Sequence, residues 1–129
     1  MSWFFLDTHL RGDAAFGWLS SEKSRMWRHE GRGNGLLAAV TSKVKREDMS
    51  GAQGVCVVAG PGPFSAIRMG VLVANVLSRT FGLPLYAVRA DEAADVQALG
   101  KRLAQGELAS QPYVAPIYDS EPNITLPKT

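Results

Sequence analysis

Thiols and imidazoles are scarce in this 129-residue chain, which has one cysteine and two histidines. A single cysteine excludes an internal disulfide framework and fits a reducing compartment. Cys56 lies inside Val55-Cys56-Val57-Val58, where a thiol reads as a small buried hydrophobe rather than a nucleophile. His29-Glu30 has no second histidine one helical turn on, so the His-Glu-x-x-His zinc pattern is missing, and His9 and His29 read as solvated surface residues. No apolar run reaches the length of a membrane span, and residues 1–7 lack the basic head and cleavage site of a signal peptide. The expectation is a cytoplasmic protein with no membrane association. Charge of one sign is also lacking: the net charge is +2, and lysine and arginine are scattered rather than gathered into the stripe that nucleic-acid binding calls for. The nearest cluster, Lys43-Val44-Lys45-Arg46, falls at a helix end, where cations also suit the helix dipole.

What the chain does have is a rigid turn. The apolar run Val55 to Ala59 leads into Gly60-Pro61-Gly62-Pro63-Phe64-Ser65, and a long apolar helix pattern leaves it, ending near Phe81. Glycines admit torsions that other residues resist, and prolines fix φ and remove amide donors, so the chain turns sharply between strand and helix. Such a turn either presents the first amides of a helix to an anion or is a tight connector. No lysine follows at the helix start, which argues against a mononucleotide P-loop, and Ser65 lacks a Gly-x-Ser-x-Gly setting and reads as a capping or first-turn hydroxyl.

In chain order, residues 3–6 form a buried strand that delivers Asp7 and Thr8 to its C-terminal end, where α/β sheets build sites. Residues 14–19 and 25–29 add two strands joined by short turns, an antiparallel meander. A helix over residues 35–46, with Asn34 available as its cap, places Leu36, Leu37, Val40 and Val44 on one apolar stripe. A polar connection over 47–53 precedes a fourth strand over 54–59, apolar throughout as expected for a strand covered on both faces. In the helix after the turn, Ile67, Met69, Val71, Leu72, Val73, Val76 and Leu77 occupy most of the circumference, which implies burial on more than one side, the second cover coming from another chain. Arg68, Asn75 and Arg79 form a narrow polar line on it, at the edge of that contact. A fifth strand over 85–88 and a helix capped by Asp91 and stopped by Gly106 complete a lobe over 1–109. From 110 to 129, prolines leave an extended tail, at best an edge strand.

The element order, the closing Asp7-Thr8 and the Gly-Pro-Gly turn resemble one lobe of the ribonuclease H-like, actin-like ATPase fold: a mixed five-stranded sheet, its first three strands antiparallel, with helices on both faces. Gly60 to Gly70, followed by Leu83-Pro84-Leu85-Tyr86-Ala87-Val88, is similar to the motif set of the TsaB (YeaZ) family, and Leu6-Asp7-Thr8 and Pro116-Ile117-Tyr118 match its two ends. The resemblance implies a non-catalytic accessory subunit, without a cofactor, that binds and activates the catalytic paralogue TsaD in threonylcarbamoylation of transfer RNA, with TsaE as a further partner and only indirect contact with the RNA. It implies an interface on the two helices holding Leu36, Leu37, Val40, Val44, Arg68, Val71, Leu72, Asn75 and Arg79, used also for a homodimer when the chain is alone. Asp7, Thr8, Gly60, Pro61, Gly62 and Ser65 then form a vestigial phosphate turn. Pro63, Ser65 and Ala66 depart from the family's Ser, Thr and Gly, which argues against anion binding, and the family's second lobe is expected to be missing, leaving no cleft for ATP. The alternative is a small nucleotide binder or enzyme using the Gly60 turn and Asp7.

Overall fold

The computed structural model describes residues 1–10, 13–30 and 35–117. The strands are β1 (Trp3–Asp7), β2 (Asp13–Leu19), β3 (Ser24–Glu30), β4 (Val55–Gly60) and β5 (Leu85–Arg89). They form one sheet in the order β3-β2-β1-β4-β5. β1–β2 and β2–β3 pair antiparallel, while β1–β4 and β4–β5 pair parallel. β1 and β4 are buried along their whole length, as strands covered on both faces must be, whereas β3 is the wetter outer strand.

Period-two alternation splits the core into two layers. Phe4, Leu6, Phe16, Val55 and Val57 face one side and meet α1 (Leu36–Lys43) and α3 (Phe64–Phe81) through Leu36, Val40, Ile67, Val71 and Ala74. Trp3, Phe5, Leu19, Cys56 and Val58 face the other and meet α4 (Val96–Ala104) through Leu99 and Leu103. The expected single helix over 35–46 is two: α1 stops where Val44 turns extended, and α2 (Arg46–Ser50) occupies the stretch expected to be a polar connection. The expected Asn34 cap lies outside the described residues. Asp95, rather than Asp91, caps α4, its Oδ1 accepting from the amides of Gln97 and Ala98 at 3.1 and 3.2 Å; Asp91 instead opens a 3-10 turn. No helix among the described residues is long and apolar enough to cross a membrane.

Burial pushes the Cys56 thiol up to about 12, because a thiolate there would lose its hydration. Cys56 should therefore resist a thiol reagent at pH 8 in the native state and react only as fast as the protein opens globally; stoichiometric labelling within the mixing time would contradict the packing of β4.

Residues 111–117 are tied to the sheet and to α3. Gln111 bridges to Leu85, and the Ile117 amide donates to the Ala59 carbonyl at 2.7 Å. Between them the Asn75 side chain holds Val114 at both backbone groups: Nδ2 donates to the carbonyl at 3.2 Å, and Oδ1 accepts from the amide at 3.1 Å. Asn75→Ala should leave that half-buried pair unmatched and cost about 1–3 kcal/mol locally. Amide hydrogen exchange would read this as roughly five- to hundredfold faster exchange at Val114, with the β1 amides unchanged.

Candidate functional site

Two regions carry the residues singled out by sequence, and the structure separates them. At the C-terminal ends of the central strands, Asp7 is buried and spent on its neighbour: its Oδ1 accepts from the His9 amide at 2.9 Å and lies 2.5 Å from His9 Nδ1. His9 is thus a half-buried partner of Asp7 rather than a solvated residue. His29 is likewise not freely solvated, since its Nε2 is buried without a hydrogen-bond partner among the described residues. Thr8 is buried, and its hydroxyl also finds no such partner; it is pressed against Gly70 of α3, where a Cβ would collide with it.

The turn itself is packed by its own chain. Gly60 sits at φ 125° with a cis bond to Pro61, and its face is covered by the Ile117 carbonyl. Its carbonyl accepts from Ala90 at 2.9 Å. Gly62 faces His9, so a Cβ there would lie 3.0 Å from the His9 Cα. Pro63 stands at the N-cap of α3 and offers no side-chain cap, while Ser65 is exposed in the first turn. The turn joins strand to helix closely, and backbone contacts occupy the space over Gly60 and Gly62.

The second region is the outer side of α1 and α3. Of the residues expected at a partner interface, Leu36, Val40, Val44 and Val71 are buried in the sheet-facing core, because that sector of each helix is the one the sheet covers. They cannot meet another chain without unfolding their own. Asn75 is committed to Val114. Leu37 and Leu72 do face solvent, at 46% and 57% exposure, with Val76 at 44% one turn beyond Leu72. Arg68 and Arg79 are exposed on the same helix, Arg68 lying over the Phe64 ring at 5.3 Å. The apolar circumference of α3 is therefore shared out: the sheet takes Ile67, Val71 and Ala74, the segment over 111–117 adds Val114 to the same core, and Phe64, Leu72 and Val76 are left exposed. Sequence missed Val76 as a site residue, although its spacing of four from Leu72 was signal enough.

Comparison with known proteins bears on the fold and the family. Two solved Pseudomonas aeruginosa structures superpose on the chain, each with a TM-score of 0.59. One is YeaZ, at 19% identity, and the other is described as an uncharacterized protein with similarity to peptidase YeaZ, at 20% identity. Each match covers 75% of this chain and 49% of the other, so the chain spans about half the length of these relatives and shares their fold. No curated protein matches it. Residues 32–121, most of the chain, match the family model TsaD, tRNA N6-adenosine threonylcarbamoyltransferase. The chain belongs to the TsaD family, in a lobe with the YeaZ fold.

Proposed function

We propose that this chain is a non-catalytic accessory subunit of transfer RNA threonylcarbamoylation, which binds and activates a TsaD-like catalytic paralogue through the outer face of α3 with Leu37 of α1 beside it. Without that paralogue, the same face pairs two copies of the chain. The observation that carries this reading is the exposure of Leu72 and Val76, with Phe64 two turns earlier, on a helix whose opposite sector packs into the core. Large apolar side chains at helical spacing, flanked by Arg68 and Arg79, have the composition of an interface centre with a charged rim. A stable interface buries about 800 Å² per partner, within reach of two helices.

The non-catalytic part of the reading rests on the strand-end region, where the Asp7 carboxylate is engaged by His9 and the Gly60 turn is closed by Ile117 and His9. Size-exclusion chromatography with light scattering, on the chain alone and mixed with the TsaD subunit of the same cell, tests the proposal. A one-to-one complex is expected, and homodimers alone. Saturating Mg-ATP should leave the melting temperature of the isolated chain unchanged. No complex, together with a ligand-induced rise of the kind that adds about 2.7 kcal/mol at a hundred times the dissociation constant, would replace this reading with the nucleotide-binder alternative.

A further inference from the structure

The exposed apolar surface is one-sided. Of the six large apolar side chains exposed among the described residues, five stand on elements that pack into the same core layer: Leu37 on α1, Phe64, Leu72 and Val76 on α3, and Tyr113 beside Val114. The sixth is Met1, and α4, on the opposite face of the sheet, contributes none. Single exposed apolar residues need no explanation, but a set gathered on one layer does. Tyr113 is the most exposed of the five, at 70%, yet its backbone is held on both sides. The Gln111 amide donates to the Leu85 carbonyl at 2.7 Å, and buried Val114 is gripped at both backbone groups by Asn75. Asn75 is itself fixed, because its Nδ2 also donates to the Val71 carbonyl at 2.8 Å. It lies three residues after Leu72 and four before Arg79, which are neighbouring positions on a helix surface, so the segment over 111–117 passes beside the exposed flank of α3. Arg68 and Arg79 on that flank form no ion pair among the described residues.

We infer that residues 111–117 form a third element of the partner-docking face, with Tyr113 as an anchor in the interface and Asn75 as the residue that positions it. The inference rests on the proposed binding of a TsaD-like paralogue through α3. It also gives that partner a chemistry: an apolar patch facing α1, α3 and this segment, with carboxylates at its rim to meet Arg68 and Arg79. Tyrosine is enriched at interface centres because it supplies a large amphipathic area with few torsions to freeze. Fixing its backbone beforehand lowers the ordering cost of binding further. A segment that only packed against α3 would need Val114 but not an exposed ring at 113. Docking of the segment and binding of the partner are then linked, and each stabilises the other by the same factor.

The test is calorimetric titration of the full chain with the TsaD subunit of the same cell, joined to amide hydrogen exchange. Tyr113→Ser should weaken the complex at least about tenfold. Exchange at Val114 in the free variant should stay as in the parent chain, which shows that the segment is still docked. In the parent chain, saturating subunit should slow exchange at Val114 and Ile117 at least about fivefold. In Asn75→Ala, the subunit should restore the protection that Val114 loses when the variant is free, a recovery that a purely structural role for Asn75 would not give. Unchanged affinity in Tyr113→Ser, where Leu72→Glu abolishes the complex, would overturn this inference and leave the accessory role standing. A chain that forms no complex with the subunit would sink the accessory role and this inference together. If Tyr113→Ser loses the homodimer but not the mixed complex, the segment belongs to the pairing of two copies, and its assignment to the paralogue is overturned.

Discussion

Glutamate at position 71 should unfold the protein, whereas glutamate at position 72 should leave it folded and unable to hold its partner. The residues are adjacent in α3 and both branched aliphatics, yet Val71 is 4% exposed and Leu72 is 57% exposed. Val71 packs in the layer formed with Phe4, Leu6 and Val57. A carboxylate there has no cation to meet and either costs several kcal/mol of desolvation or forces protonation. Against a whole-domain stability of about 5–15 kcal/mol, a loss of about 4 kcal/mol or more leaves the chain largely unfolded on warming. Leu72→Glu removes a side chain already in water, so its effect on stability should stay within about 0.5 kcal/mol. At the centre of an interface the same change should cost at least about 2 kcal/mol, roughly thirtyfold in affinity. Thermal melts followed by circular dichroism, with light scattering on the mixed subunits, separate the two outcomes. A folded Val71→Glu protein would mean that α3 is docked in another rotation. A Leu72→Glu protein that still forms the complex would move the interface off this face.

How far sequence could read this molecule depends on which forces act locally. Strand positions were legible because β1 and β4 are continuous apolar runs bounded by turn residues, and β2 and β3 are joined by a short polar hairpin. α3 was legible to the residue because Pro63 fixes its start and Gly82, at φ 63°, fixes its end. The proposed interface was half legible. A helix that is apolar all round announces two covers but not which sector each cover takes, since that depends on where the sheet lies. Leu36, Val40, Val44 and Val71 were therefore grouped with Leu37 and Leu72, though the sheet claims the first four. Asn75 looked like part of a polar line because its partner, Val114, is 39 residues away and only folding brings the two together. The break between α1 and α2 was missed for the opposite reason: Lys43 to Arg46 read as helix on propensity and charge, while the burial of Val44 and Met49 in one core bends the chain between them. At the strand ends, spacing shows Asp7 and Gly60 arriving together but not that His9 lies against Asp7 and Gly62, or that the Ile117 carbonyl covers Gly60.

Gly70→Ala should change sign with its background. In a helix interior, alanine is favoured over glycine by about 0.8–1.0 kcal/mol, so the substitution on its own terms is stabilising. Here the new methyl would collide with the Thr8 hydroxyl and come within 3.0 Å of the Thr8 Cβ, with Cγ2 also too near at 2.8 Å. Thr8 is 3% exposed at the end of β1 and cannot move aside without shifting the strand, so overpacking of about 1–3 kcal/mol should outweigh the propensity gain and give a net loss. Thr8→Ala removes Oγ1 and Cγ2 together. The hydroxyl has no hydrogen-bond partner among the described residues, so its loss is cheap in polar terms and the cost is mainly a small cavity. In that background only the Cβ–Cβ contact at 3.0 Å remains, tight by a few tenths of an ångström, and the helix-propensity gain of about 0.8–1.0 kcal/mol should make Gly70→Ala stabilising. The four proteins of the cycle, compared by chemical denaturation, should show a coupling of about 2 kcal/mol between the sites, within the range for residues in contact. A coupling near zero would mean that α3 stands off from β1. The consequence reaches the proposed partner-binding face, because Leu72 lies two residues beyond this contact. The single Gly70→Ala variant should therefore lose affinity for the TsaD subunit as α3 is displaced, and adding Thr8→Ala should restore it.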